Sequence, residues 1–106
     1  MPIASPRYPF TRGALEGAPA DPGVYALYDD GELVYVGLAQ PPSGIQARLL
    51  EHFFALREPS EVTHYSWEIC RDPATRQTEL IREHERRHVL PPRFNRGPTA
   101  NRRTAA

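Results

Sequence analysis

Gly23-Val24-Tyr25-Ala26-Leu27-Tyr28, then Asp29-Asp30-Gly31-Glu32, then Leu33-Val34-Tyr35-Val36-Gly37: two apolar runs are joined by a short acidic turn. Asp and Gly tolerate the positive φ of tight hairpin turns, so the stretch predicts a β-hairpin. Side chains alternate along a strand. Tyr25 then shares a face with Leu27, and Tyr35 shares one with Leu33. Antiparallel pairing about Asp30-Gly31 brings Tyr25 and Tyr35 near each other across the ladder. Two neighbouring phenols are a candidate site, and Tyr is also a good strand former that suits plain packing.

Working outward, residues 1–21 are rich in Pro, Gly and Ala and read as a lead-in that packs loosely or covers a sheet edge. After the hairpin, Gln40-Pro41-Pro42-Ser43 reads as a loop with Ser43 as helix N-cap. Ile45, Leu49, Leu50, Phe53, Phe54 and Leu56 recur at helical spacing to about Arg57. Glu58-Pro59-Ser60 breaks that helix. Tyr65 to Cys70 reads as a third strand. Asp72-Pro73 suits an N-cap and first helical position, and 74–89 reads as a second helix with Leu80, Ile81, His84 and His88 on one face. Leu90-Pro91-Pro92 stops it, and Arg93-Phe94-Asn95 reads as a short extended piece. The expected fold is α+β, a small three-stranded antiparallel sheet flanked by helices. The expected division is a lead-in over 1–21, one domain over 22–96 and a disordered basic tail over 97–106.

The chain has 106 residues, 40% apolar and 25% charged, as befits one soluble domain. No apolar run approaches the roughly 20 residues of a membrane span, and Met1 to Phe10 lacks the order of a secretory signal. The single cysteine, Cys70, cannot form an internal disulfide and reads as a buried strand thiol. The expectation is a cytoplasmic protein without a membrane partner. Net charge is zero, but residues 1–70 carry −5 and residues 71–106 carry +5. Beyond Glu85 there are no acids, only Arg86, Arg87, Arg93, Arg96, Arg102 and Arg103 among the charged residues. Such a run can neutralise phosphates, or can be a solvated helix end and tail.

Arg48 and His52 stand four apart on the first helix, hence on one face. Arg binds phosphate oxygens in a bidentate manner, and His is readily poised as acid or base near neutrality. Each alone also suits a bland helix surface. Glu79 and Glu83 stand one turn apart on the second helix. A carboxylate there could hold Mg²⁺ or simply pair with neighbouring Arg. His64, His84 and His88 lack Cys partners and a zincin pattern, and read as packing residues.

Taken together these residues resemble the GIY-YIG nuclease domain, as found in bacterial excision-repair endonucleases and small stand-alone relatives. Gly23-Val24-Tyr25 and Tyr35-Val36-Gly37 resemble its two triplets. Arg48 matches its helix arginine, His52 falls where members carry Tyr or His, a helix glutamate follows, and Pro92-Arg93-Phe94-Asn95 resembles its ending. The resemblance runs from about Pro22 to Asn95. It implies hydrolysis of DNA phosphodiesters, in DNA repair or a related setting, with Mg²⁺ or Mn²⁺ on the glutamate. Tyr25 or Tyr35 would activate or orient the attacking water, Tyr35 working with His52. Arg48 would hold the phosphoryl oxygens, and Asn95, with Gly23 and Gly37, would support the site. A phenol of pKa about 10 is a poor base at neutral pH, so the site is expected to lower it.

Arg86, Arg87, Arg93 and Arg96 would grip DNA, and a homodimer or larger repair assembly is left open. Leu38 departs from the pattern, since many members have Lys there. Glu83, twelve residues before Asn95, is the expected metal ligand, with Glu79 as alternate. The usual apolar pair after that glutamate is missing for both. A domain with the same fold that binds nucleic acid without cutting is the alternative reading.

Overall fold

In a computed structural model of the protein, residues 2–55 and 61–96 are described. The end of the first helix at Leu56–Arg57, the Glu58-Pro59-Ser60 break and the tail over 97–106 lie outside them.

The predicted hairpin forms from β2 (Gly23–Asp29) and β3 (Glu32–Ala39), paired antiparallel, with Asp30 in the positive-φ turn position at φ 56°. One expectation fails within it. Leu27 faces Tyr35 but Tyr28 faces Leu33, which leaves Val34 as an extra residue in a bulge. A bulge interrupts alternation. Leu33 therefore packs with Val24, Val36 and Leu80, while Tyr35 joins Tyr25 and Leu27 on the opposite face.

β4 (His64–Ile69) pairs antiparallel with the other edge of β2, setting Tyr65 beside Leu27 and Trp67 beside Tyr25. The sheet has four strands, not the three expected. The fourth, β1 (Tyr8–Pro9), comes from the lead-in and gives the order β1-β4-β2-β3. Two residues, one of them a proline, carry no strand signal of their own. They pair because β4 offers an open edge, where Tyr8 lies opposite Tyr65. The short helix α1 (Arg12–Leu15) follows, and the Thr11 hydroxyl caps it by accepting from the Ala14 N–H. Leu15 is fully buried, and the Tyr65 hydroxyl donates to the Ala14 carbonyl. The lead-in is thus part of the sheet and the core.

α2 (Ile45–Ala55) covers the face that carries Tyr25 and Tyr35, with Ile45 and Leu49 fully buried. Ser43 is not its cap. The first helical N–H groups, of Ile45 and Gln46, donate to the carbonyls of Asp21 (2.9 Å) and Pro19 (2.8 Å). Backbone from the lead-in thus satisfies donors that a helix start leaves open.

α3 (Pro73–His88) covers the opposite face through Leu80 and Ile81. It begins as expected, with the Asp72 carboxylate accepting from the Thr75 N–H (3.2 Å). Arg76 ties it to the sheet by donating from Nε and Nη2 to the two carboxylate oxygens of Glu68 (2.7 and 3.0 Å). Cys70 lies one residue beyond β4 and is only half-buried. Arg93-Phe94-Asn95 forms a 3₁₀ turn rather than an extended piece, closed by the Asn95 N–H on the Pro92 carbonyl (2.8 Å). Among the described residues no helix is long and apolar enough to cross a membrane.

α3 ends at Val89, which adopts φ 73° while its N–H bonds the Glu85 carbonyl (2.7 Å). A β-branched residue is strained at positive φ, where Gly is the usual choice after a helix. Val89 is 85% exposed, so its side chain contributes little packing. Val89→Gly should raise the free energy of unfolding by about 1 kcal/mol, read from the denaturant midpoint.

Candidate functional site

The side chains that the hairpin and α2 bring together meet in one cluster. Tyr25 is 0% exposed, and its ring lies across β3 at Gly37, its register partner. A Cβ on Gly37 would overlap that ring and its hydroxyl. Gly37 is therefore the residue that lets the phenol lie flat on the strand. Gly23 has a parallel role, since a Cβ there would strike the Glu68 carbonyl and crowd Ile45. The ring centroids of Tyr25 and Tyr35 are 6.2 Å apart, and His52 lies 5.4 and 5.2 Å from them. The Tyr25 hydroxyl is 2.8 Å from His52 Nε2.

Arg48, one turn before His52, acts on the same phenol through its positive charge. The phenol directs its proton to His52 Nε2. The imidazole is then neutral, with its proton on Nδ1. Burial enforces that neutrality. It pulls the His52 pKa down to about 4, with Arg48 adding to the effect and Glu51 partly offsetting it. The Tyr25 phenol moves opposite to the expectation that the site would lower it. Burial raises it well above the ordinary value, the Tyr35 phenol adds to the rise, and Arg48 offsets only part.

The edge of β3 that carries Tyr35 and Gly37 is held from outside. Asn95 Oδ1 accepts from the Val36 N–H (2.8 Å), and Asn95 Nδ2 donates to the Val36 carbonyl (3.1 Å). Gln77 Nε2, from α3, donates to the same carbonyl (3.0 Å). Asn95 thus braces the strand edge at Val36. Gln77 was missed, because its partner lies 41 residues away and no local pattern announces it. Glu51 was also missed. Its carboxylate lies 3.1 Å from Arg48 Nη1, and its spacing of three from Arg48 was the available signal.

The other predicted residues lie elsewhere. Glu83 lines a groove with Ala26, Tyr28, Leu33, Val36 and Leu80, on the face opposite the two tyrosines. Glu79 is exposed and pairs with Arg76 (3.4 Å). The helix phase decides this. α3 lies over the far face, so its acids border that face and not the tyrosine cluster. Arg87 and Arg96 line the same far groove, and Arg86 lies with Arg76, Glu79 and Arg82. Arg93 pairs with Asp29 (3.0 Å), Glu32 (3.6 Å) and Glu61 (2.7 Å), which anchor the 3₁₀ turn to the hairpin and to the segment before β4. His84 and His88 stack with ring centroids 4.4 Å apart. Among the described residues no group of three or more His, Cys, Asp or Glu could hold a metal ion. Glu51, the carboxylate beside Arg48, is tied to that guanidinium, so the residues at the cluster do not fit a divalent cation.

Comparison of the chain with protein-family models, curated proteins and solved structures finds no match.

Two measurements follow from this geometry. Gly37→Ala should destabilise the fold by roughly 1–3 kcal/mol, as overpacked cores do, whereas Gly13→Ala, with nothing within 4 Å of its Cβ, should not. For His52 the folded pKa lies below the unfolded value, so the unfolded state binds the proton first as pH falls. Its contribution is complete above about pH 6.5 and is lost between there and pH 4. Urea unfolding at pH 7 and pH 4 should show wild type losing about 3 kcal/mol more than His52→Gln.

Proposed function

We propose that the chain acts on DNA, hydrolysing phosphodiester bonds as an endonuclease of GIY-YIG type, with the Tyr25–Arg48–His52–Tyr35 cluster as its phosphate site. One observation carries this reading. A guanidinium and an imidazole from one helix face meet two strand phenols at a site whose backbone is clamped through Val36.

Arg48, with its side chain 30% exposed, is the group that reaches solvent with a permanent positive charge. It would receive the non-bridging oxygens and stabilise the charge that builds on them. Tyr25 and His52 form the hydrogen-bonded pair beside it. Their neutral pair resists ionisation, so water activation is not given to Tyr25. Tyr35, whose ring centroid lies 5.2 Å from that of His52, would orient the attacking water through its hydroxyl. The resemblance implies Mg²⁺ or Mn²⁺, but the cluster gathers no ligand set for such an ion, and no step is routed through one.

A second reading is favoured by that same shortage. A domain with this cluster, whose neighbouring carboxylate Glu51 is tied to Arg48, and with a phenol raised rather than lowered, suits binding of a phosphodiester backbone without cutting. Either way, affinity rests on phosphate contacts and should fall steeply with salt.

Incubation of supercoiled plasmid with Mg²⁺, with Mn²⁺ and with chelator separates the two. Nicking by wild type, lowered about 100-fold or more in Arg48→Ala, supports the enzyme. Retarded DNA migration without nicking supports the binding module. Glu83→Gln is expected to leave most nicking intact, because Glu83 lies on the far face. Its loss of activity with the fold preserved would return the acid to the site.

A further inference from the structure

Arg48 carries an occupant already. Its Nη1 lies 3.1 Å from Glu51 Oε1, one helical turn along α2, and the Glu51 side chain is 64% exposed. The inner edge of the same guanidinium is different. Arg48 Nε is buried and has no hydrogen-bond partner among the described residues. A buried donor without an acceptor is costly and uncommon in a resting protein. Arg93 Nε is buried and unpaired in the same way although three carboxylates hold Arg93, so it is the Glu51 ion pair that bears on what Arg48 receives.

From this exposed ion pair we infer that Glu51 is an internal stand-in for the substrate's phosphate: its carboxylate holds Arg48 in the free protein and gives way when a phosphodiester arrives. The inference rests on the reading that Arg48 receives a phosphate. Three features make the exchange physically sound. The carboxylate and the phosphate are both anionic acceptors for the same N–H groups. The ion pair is exposed, and exposed pairs hold weakly enough to be displaced. Glu51 also sits on the solvent side of α2, where its side chain can swing outward without disturbing Ile45 or Leu49 in the core. A carboxylate left this close opposes the incoming phosphate by like-charge repulsion. Glu51 thereby lowers affinity for any single phosphate and keeps Arg48 oriented between encounters.

The test is a double-mutant cycle on DNA binding, run with chelator so that no cation contributes. A fluorescein-labelled duplex is titrated with wild type, Glu51→Gln, Arg48→Ala and the double variant, and affinity is read by anisotropy. Glu51→Gln keeps the shape of the side chain and removes its charge. It should tighten binding about three- to tenfold. In the Arg48→Ala background the same change should have little effect, because the contested guanidinium is gone. Unchanged or weaker binding by Glu51→Gln overturns the inference. So does equal tightening in both backgrounds, which would mark a general charge effect. If wild type binds no DNA, or Arg48→Ala binds as well as wild type, the reading of Arg48 itself fails and this inference falls with it. A nicking assay adds an independent arm. Glu51→Gln should lower KM with kcat kept, and a collapse of kcat would instead make Glu51 part of the chemistry.

Discussion

A buried phenol lying flat on a glycine sets the geometry of this molecule. Tyr25 can cross β3 only because Gly37 has no Cβ, and it can be fully buried only because its hydroxyl finds His52. A phenol O–H removed from water without a partner would be unfavourable. The contact therefore dictates where α2 sits along the sheet and which of its faces turns inward. Ile45 seats against Gly23 at one end, and His52 reaches the phenol two turns on. Arg48 falls between them by helical spacing.

The other constraint is the open edge of β3. An unpaired strand edge invites association with another chain. Here Asn95 closes it by taking both backbone groups of Val36, and Gln77 adds a second donor to the carbonyl. Arg93 fixes the turn that delivers Asn95, through carboxylates on the hairpin and on the segment before β4. A residue that looked like surface charge for DNA thus serves the architecture of the site. Residues 93–95 and the hairpin are held as one unit, which keeps Tyr35 and Gly37 in place under α2.

Burial dominates the electrostatics of the cluster. Arg48 lies near enough to favour ionisation of Tyr25, yet desolvation of the phenol is the larger effect. The same desolvation keeps His52 uncharged. The outcome is a neutral hydrogen-bonded pair with one permanent cation at its rim, an arrangement suited to receiving an anion. α3 carries Glu79 and Glu83 over the reverse side of the sheet. The two sides are separated by the strands themselves, so spacing along α3 could not reveal the separation.

The sequence by itself determined the hairpin, the two helices and the shared face of Arg48 and His52. Those follow from short-range rules: turn chemistry, helical period and capping residues act within a few positions of one another. It also pointed to Asn95 as a brace, through the resemblance of its ending. Tertiary structure alone decided the rest. The bulge at Val34 reassigned Leu33 to the other face, and the edge offered by β4 drew Tyr8–Pro9 into the sheet. The placement of α3 separated Glu83 from the tyrosines, and burial set the ionisation of Tyr25 and His52. Each of these depends on what packs across the sheet, and a linear pattern carries no record of which surface an element will cover.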